Sequence, residues 1–249
     1  MRPLINKLKP ASGFSKVLHI GFNVLLPLAA FILVRIDFAQ LALLVVLLSK
    51  WRIIAVRPRF WLANLRANAV DIMVGVSMVI FMVAASDQMF QLFWVVVYGL
   101  WLTLLKPASG MAMVALQAGF SFICGLMALS IGWDAAPLYG LVLLTGGICY
   151  VSAHHFFDAF DEPHTRLLSY IWGYFGAALT WVLGHWLLFY GLIPQNTLLL
   201  LPLGYGLATL YYLDHRDRLS KNVRRQILFI MVAVVSIIII FSDWGNKIV

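Results

Sequence analysis

Apolar residues occur in nine long runs separated by short polar breaks. Because a hydrocarbon core of about 30 Å needs about 20 apolar residues in a helix, the pattern predicts an all-α integral membrane protein with about nine transmembrane helices. The second run has the shortest uninterrupted apolar part. The runs cover about 17 to 34, 38 to 55, 70 to 86, 90 to 105, 111 to 131, 136 to 156, 168 to 191, 197 to 213 and 226 to 242.

The breaks between these runs contain the residue types that favour turns. They include KPASG at 106–110 and GWDAAP at 132–137, which bring proline and glycine between two apolar segments. No long polar segment is left over for a soluble domain. We therefore expect residues 1–249 to form a single polytopic transmembrane domain, with residues 1–16 as a basic cytoplasmic N-terminal segment.

Composition supports this reading. The chain is 63% hydrophobic and 11% charged, whereas a soluble domain is usually about 45–50% apolar and about 25% charged. Cys124 and Cys149 each lie inside an apolar run, where a cysteine is more typical of packing than of a disulfide or a metal site.

The net charge of +8 is distributed unevenly along the chain. If the runs alternate across a membrane, all 18 lysines and arginines except Arg35 and Lys247 fall on one side. Positive residues favour the cytoplasmic side, so the N-terminus is predicted inside and the C-terminus outside a bacterial-type cell membrane. The expected partners are the anionic headgroups of the bilayer and a second copy or a membrane-complex protein, but not nucleic acid.

Ionisable residues gather most densely in HHFFDAFDEPHTR, residues 154–166. If the sixth helix continues to Glu162, His154, Asp158 and Asp161 fall within about 60° of one another, and His155 widens the arc. Histidine nitrogens and carboxylate oxygens in such an arc suit a divalent metal such as Mg²⁺. The alternative is an ordinary helix end that meets water.

Asn64, Asn68 and Asp71 repeat the same spacing where the third helix is predicted to begin. These residue types favour helix starts, which is the structural interpretation. The functional interpretation makes Asp71 a further metal ligand in a cytoplasmic vestibule shared with the 154–166 stretch. Asp214 and Asp217 belong to a mixed-charge loop on the same predicted side.

Four arginines on that side are candidates for binding phosphate oxygens, because the guanidinium group matches phosphate geometry. They are Arg57, Arg59, Arg66 and Arg166.

Two motifs carry a partial resemblance to a known family. RPRFWLAN, residues 57–64, resembles the RPxxWxxN opening of some UbiA-type prenyltransferases, and residues 154–166 are similar in rhythm to their NDxxDxxxD motif. His154 and His155 stand where that family has Asn-Asp, the acidic spacing is DxxD, and the motif follows the sixth run instead of the second. The resemblance covers some twenty positions and implies a nine-helix enzyme that uses a metal to act on a prenyl diphosphate.

His185 is predicted to lie well inside the seventh helix, and an ionisable residue inside a span is a functional candidate. A neutral histidine bonded to a neighbouring helix is the alternative. No catalytic residue can be assigned, and two functions remain open. The leading one is a non-enzymatic, transporter-like or membrane-complex component; the alternative is a metal-dependent enzyme that acts on a phosphorylated lipid at the cytoplasmic face.

Overall fold

A computed structural model describes residues 14–53, 55–133, 137–185, 189–190 and 193–241. Within these ranges the chain forms nine α-helices and one antiparallel pair of two-residue strands, Phe189–Tyr190 and Ile193–Pro194. The helices are α1 (Phe14–Arg35), α2 (Ala39–Leu48), α3 (Trp61–Ala84), α4 (Gln88–Leu100), α5 (Met111–Gly132), α6 (Leu138–Asp158), α7 (Thr165–Gly184), α8 (Gln195–His215) and α9 (Lys221–Phe241).

Six helical segments in the described ranges are long and apolar enough to cross a membrane. The protein is thus an essentially all-helical, multi-pass membrane protein. The six segments are Pro58–Ala84, Gln88–Leu105, Met111–Gly132, Leu138–Asp158, Thr165–Gly184 and Lys221–Phe241.

The second predicted run does not form one continuous helix. α2 has 10 residues, or about 15 Å, which is about half of a hydrocarbon core. The hydroxyl of Ser49 donates to the carbonyl of Val46 at 2.6 Å, and the chain turns there. The turn directs Lys50 into the protein, towards Asp71.

The third helix begins earlier than its apolar run. A 3₁₀ turn, Pro58–Phe60, leads directly into α3 at Trp61. The first two turns of α3 are largely exposed and include the polar residues Asn64, Arg66 and Asn68. Asp71 therefore lies in the third turn and not in the first, so the prediction that it caps the start of this helix is wrong.

Three helices end at an aspartate with positive φ. Asp37, Asp161 and Asp217 have φ values of 61°, 51° and 54° and follow α1, α6 and α8. At each end, the amide of the aspartate and the next amide donate back to the helix in the two-bond pattern of a left-handed C-terminal cap, as in Asp161 N to Asp158 O and Glu162 N to Phe157 O. The chain thus leaves α6 at Asp158, and Asp161 does not continue its helical arc.

The helices pack around two regions. α1 to α4 enclose the largest apolar core, which contains Val74, Met78 and Tyr98. α5 joins this core to α6, α7 and α8. α6 and α7 form the closest pair, where glycines let the backbones approach: a Cβ on Gly146 would lie 3.2 Å from the carbonyl oxygen of Gly173. α9 packs on α8 and exposes most of its apolar surface.

Candidate functional site

Three charged residues meet inside the bundle, and we name Lys50, Asp71 and Lys106 the buried charge cluster. The Oδ2 atom of Asp71 pairs with the ammonium groups of both lysines, with Lys106 at 2.6 Å. The indole nitrogen of Trp101 donates to Oδ1 of Asp71 at 3.0 Å. Only 9% of the Lys50 and Asp71 side chains is exposed, against 40% of Lys106.

Irregular points in the helices supply these residues. Lys50 follows the early end of α2. A π-helical segment, Trp101–Leu105, extends α4, begins with Trp101 and is followed directly by Lys106. Non-α geometry of this kind occurs often at functional sites, because it redirects side chains. Two departures from regular α-helix therefore converge on one carboxylate of α3.

Asp71 lies within a helical segment, Pro58–Ala84, that is long and apolar enough to cross a membrane. It precedes the end of α3 at Ala84 by about 20 Å along the helix axis. If Ala84 marks one boundary of a hydrocarbon core about 30 Å thick, Asp71 falls inside that core. A charge there is costly unless it is paired, which explains why both oxygens of Asp71 are engaged.

The cluster has unequal numbers of positive and negative groups. One carboxylate faces two ammonium groups, so the ionised cluster carries one net positive charge. Tyr98, fully buried, packs beside it: a Cβ on Gly75, one turn after Asp71, would lie 2.9 Å from the phenol oxygen. That phenol has no hydrogen-bond partner within the described part of the chain. The excess positive charge favours the approach of an anion to Lys106, the exposed member of the cluster.

A hydrogen-bond chain links the cluster to α6. The amide nitrogen of Gln117 in α5 donates to the carbonyls of Leu105, at 2.5 Å, and Ala108, at 2.9 Å, and so holds the loop that carries Lys106. The amide oxygen of Gln117 lies 3.0 Å from Nε2 of His155. Because an amide oxygen only accepts, Nε2 of His155 is the donor.

The predicted metal ligands make separate contacts. The carboxylate of Asp71 is engaged by two lysines and a tryptophan, and His155 is engaged by Gln117. Asp158 is exposed at the end of α6, and Asp161 has left the helix. Among the described residues, no three histidines, cysteines or acids are grouped so that they could hold a metal ion. The metal site remains a prediction.

The four predicted phosphate-binding arginines are all exposed. The guanidinium of Arg59 lies over the ring of Phe60, 4.6 Å from its centroid. Arg66 lies in the second turn of α3 and Arg166 in the first turn of α7. Arg57 immediately precedes the 3₁₀ turn that leads into α3.

The connection between α6 and α7 is attached to α8. The phenol of Tyr211 donates to Glu162 at 2.5 Å, and this bond lowers the pKa of the Glu162 carboxyl from its usual range. Phe160 packs edge-to-face against Tyr211 and His215. Asp214 lies on the last turn of α8 and Asp217 in its C-terminal cap, so two of the three predicted acidic groups come to the same end of the bundle.

His185 lies at the end of α7 and not well inside the helix. It follows Gly184, is exposed, and its Nδ1 lies 2.7 Å from the carbonyl oxygen of Trp181, to which it donates. Its ring also meets the ring of Trp181 edge-on, with centroids 4.9 Å apart. A local bond to its own helix explains its position.

Sequence reasoning found Asp71 but not its partners. The sequence pattern places Lys50 and Lys106 among the basic residues of the predicted connections and Trp101 within an apolar run. The signal that would have found the two lysines is the single acid of the third helix, together with a lysine inside the second run and a lysine directly after the fourth.

Comparison with known proteins adds no relative. No family model, curated protein or solved structure matches the chain. The resemblance to UbiA-type prenyltransferases accordingly rests on the motifs at 57–64 and 154–166 alone.

Proposed function

We propose that the protein is a transporter-like component of a bacterial-type cell membrane and that the buried charge cluster binds the ion it carries. The observation that carries this proposal is the buried carboxylate of Asp71, which lies in a helix long and apolar enough to cross a membrane and is shared by Lys50 and Lys106. An ionisable group inside a span is a functional candidate by default, and here its partners are known.

Stability alone is a poor reason for such a cluster. Apolar residues of similar volume in place of a buried ion pair often leave a protein as stable or more stable. A cluster that pairs and unpairs during a transport cycle, by contrast, requires charges. Helices interrupted at membrane depth are a common feature of ion sites in transporters, and α2 and the π-helical segment are such interruptions.

The charge of the cluster favours a small anion as substrate. The net positive charge attracts an anion, and Lys106 is exposed enough to be reached by one. An anion that binds Lys106 would compete with Asp71 for the Lys106 ammonium group.

We further propose nine spans with the N-terminus in the cytoplasm. Contacts bring the connections α2/α3, α4/α5, α6/α7 and α8/α9 to one end of the bundle, through the cluster, the Gln117–His155 bond and the Glu162–Tyr211 bond. These connections and the residues that flank them carry 12 of the 18 lysines and arginines, and residues 1–16 carry four more. Cytoplasmic loops are rich in both residue types.

The test is electrophysiology of proteoliposomes on a solid-supported membrane, with rapid addition of chloride, nitrate, acetate and phosphate. We expect at least one anion to evoke a current in the wild type and the Lys106→Gln variant to lose it. Lys221→Gln, at the exposed start of α9, is the matched control and should retain the current. Absence of any current from folded wild-type protein, or full activity of Lys106→Gln, would contradict the proposal.

The alternative function is a metal-dependent enzyme, which predicts that a divalent metal binds the 154–166 stretch. A divalent metal bound by the 154–166 stretch at about 100 times its dissociation constant should stabilise the purified protein by about 2.7 kcal/mol. Thermal melting with Mg²⁺, Mn²⁺ and Zn²⁺ measures this. A shift that Asp158→Ala abolishes would support the enzyme, whereas equal melting with and without each ion would remove its metal site.

A further inference from the structure

Gln117 bridges two carbonyls that flank Lys106. Lys106 directly follows the π-helical segment, and its backbone amide donates to the carbonyl of Trp101 at 2.8 Å. The chain then turns, and the amide of Ala108 donates to the carbonyl of Leu105 at 3.1 Å. The side-chain nitrogen of Gln117 spans this turn, because it donates to the carbonyls of Leu105 and Ala108 at 2.5 and 2.9 Å. The backbone around Lys106 is thus held from α5.

His155 fixes the orientation of the Gln117 amide. A glutamine amide has a donor end and an acceptor end, and only the donor end can face two carbonyls. The acceptor end, Oε1, lies 3.0 Å from Nε2 of His155. A half-turn of the amide would bring its oxygen against two carbonyl oxygens and its nitrogen against the N–H of His155. The histidine therefore favours the one amide orientation that binds the turn.

A second contact sets the level at which α5 and α6 meet. Ser121 follows Gln117 by about one turn of α5, and Ser152 precedes His155 by about one turn of α6. The hydroxyl oxygens of the two serines are 3.5 Å apart, and both serines are buried. The helix pair therefore presents Gln117 and His155 to each other at a fixed level.

The ammonium group of Lys106 depends on this support. It lies 2.6 Å from Oδ2 of Asp71, and 40% of the lysine side chain is exposed. Because lysine has a flexible four-carbon stem, the position of its ammonium group is set by its ion pair and by its backbone. An anion that competes with Asp71 weakens the ion pair, and the backbone held by Gln117 then decides where the ammonium group can lie.

We propose that Gln117 and His155 are positioning residues for the anion site, and that His155 acts through Gln117 to hold Lys106 where the anion binds. This inference rests on the proposed transport function. It adds α5 and α6 to a site whose charged residues come from α3 and from the segments that follow α2 and α4. Each of the two residues places Lys106 and does not itself bind the anion.

Two polar substitutions of His155 separate its hydrogen bond from its bulk. The side-chain nitrogen of glutamine is as many bonds from Cβ as Nε2 of histidine, whereas that of asparagine corresponds to Nδ1. His155→Gln should therefore keep the bond to Gln117, and His155→Asn should lose it. The loss of one net hydrogen bond corresponds to about a fivefold change in affinity.

Currents from proteoliposomes on a solid-supported membrane measure that change. Chloride, nitrate, acetate and phosphate are each titrated, and the half-saturating concentration is obtained for every anion that evokes a wild-type current. His155→Asn should raise this concentration about fivefold and preserve the maximal current, while His155→Gln should keep the wild-type value. The matched control is His154→Asn, because His154 lies against Tyr150, with ring centroids 5.7 Å apart, and should leave the affinity unchanged.

A double-variant cycle tests whether the two residues act in series. Gln117→Leu removes both bonds to the turn and should raise the half-saturating concentration at least as much as His155→Asn. Since His155 acts through Gln117, the addition of His155→Asn to Gln117→Leu should have no further effect, whereas independent residues would give additive changes. If His155→Asn does not fold, unchanged affinity in Gln117→Leu would still contradict the proposal.

Hydrogen exchange supplies a readout that needs no transport. The backbone amides of Lys106 and Ala108 should exchange faster in His155→Asn than in the wild type or in His155→Gln. Equal exchange, or a wild-type current whose anion affinity is the same in His155→Asn, would overturn this proposal and leave the transport function standing. Absence of any current from folded wild-type protein would instead overturn the transport function, and this inference with it.

Discussion

At the scale of single residues, Asp161 shows how a chemically suggestive side chain can have a conformational role. A left-handed conformation costs a residue with a Cβ about 1–2 kcal/mol, but glycine adopts it freely, and aspartate and asparagine tolerate it better than most residues. Asp161 has φ of 51° and closes the C-terminal cap of α6. Its position in the acidic motif is therefore explained by backbone geometry without a ligand.

This role predicts opposite effects of two small substitutions. Asp161→Gly should preserve or raise the stability of the protein, because the left-handed conformation loses its steric cost. Asp161→Ala should be less stable than Asp161→Gly by about 1 kcal/mol, since alanine keeps the Cβ without the polar side chain. Thermal melting of both variants measures the difference. If glycine were the more damaging substitution, the carboxylate itself would be required.

Asp71 is the residue on which stability depends most directly. Asp71→Ala leaves the ammonium of Lys50 buried without its partner, and loss of one member of a buried pair costs about 3–5 kcal/mol. The double variant Asp71→Leu with Lys50→Met removes both charges, and Lys106 is exposed enough to reach water. Chemical denaturation should show that the double variant is more stable than Asp71→Ala. A double variant that is no better would mean that the charges do not compensate one another.

At the scale of elements, the apolar runs predicted most helices well because hydrophobicity is encoded locally. They failed where packing or polar contacts decide the backbone. α2 stops at Leu48 because Lys50 turns inwards to Asp71, a contact across 21 positions of sequence. α3 begins at Trp61, ahead of its apolar run, and its first two turns are exposed and interrupted by Asn64, Arg66 and Asn68. The buried charge cluster was missed for the same reason: pairing between distant residues leaves no periodic signal.

The contact between α6 and α7 depends on individual glycines, and two neighbours on α6 offer a matched test. A Cβ at Gly146 would lie 3.1 Å from the Cβ of Ala177, whereas a Cβ at Gly147 would meet nothing within 4 Å. Gly146→Val should therefore destabilise the protein by about 1–3 kcal/mol through overpacking, and Gly147→Val should have little effect. Thermal melting in one detergent compares them. Equal losses would indicate that helix propensity, and not the contact with α7, requires glycine here.

At the scale of the whole molecule, charge and contacts lead to the same arrangement by separate routes. The basic residues favour one side because lysine and arginine are retained in the cytoplasm. The polar contacts of Asp71, Gln117, His155 and Glu162 independently join the same four connections at one end of the bundle. The contacts do not depend on which side of the membrane that end occupies, so the orientation rests on the charge distribution and needs its own measurement.

Reporter fusions supply that measurement. An alkaline phosphatase fused after Val249 should be active and a green fluorescent protein at the same position dark, because the proposed nine spans put the C-terminus outside. Fusions after Arg218, in the basic connection between α8 and α9, should give the reverse pattern and act as the matched control. If both positions report the same side, α9 does not span the membrane. If both patterns are inverted, the basic end faces outwards, and the buried charge cluster would open towards the exterior.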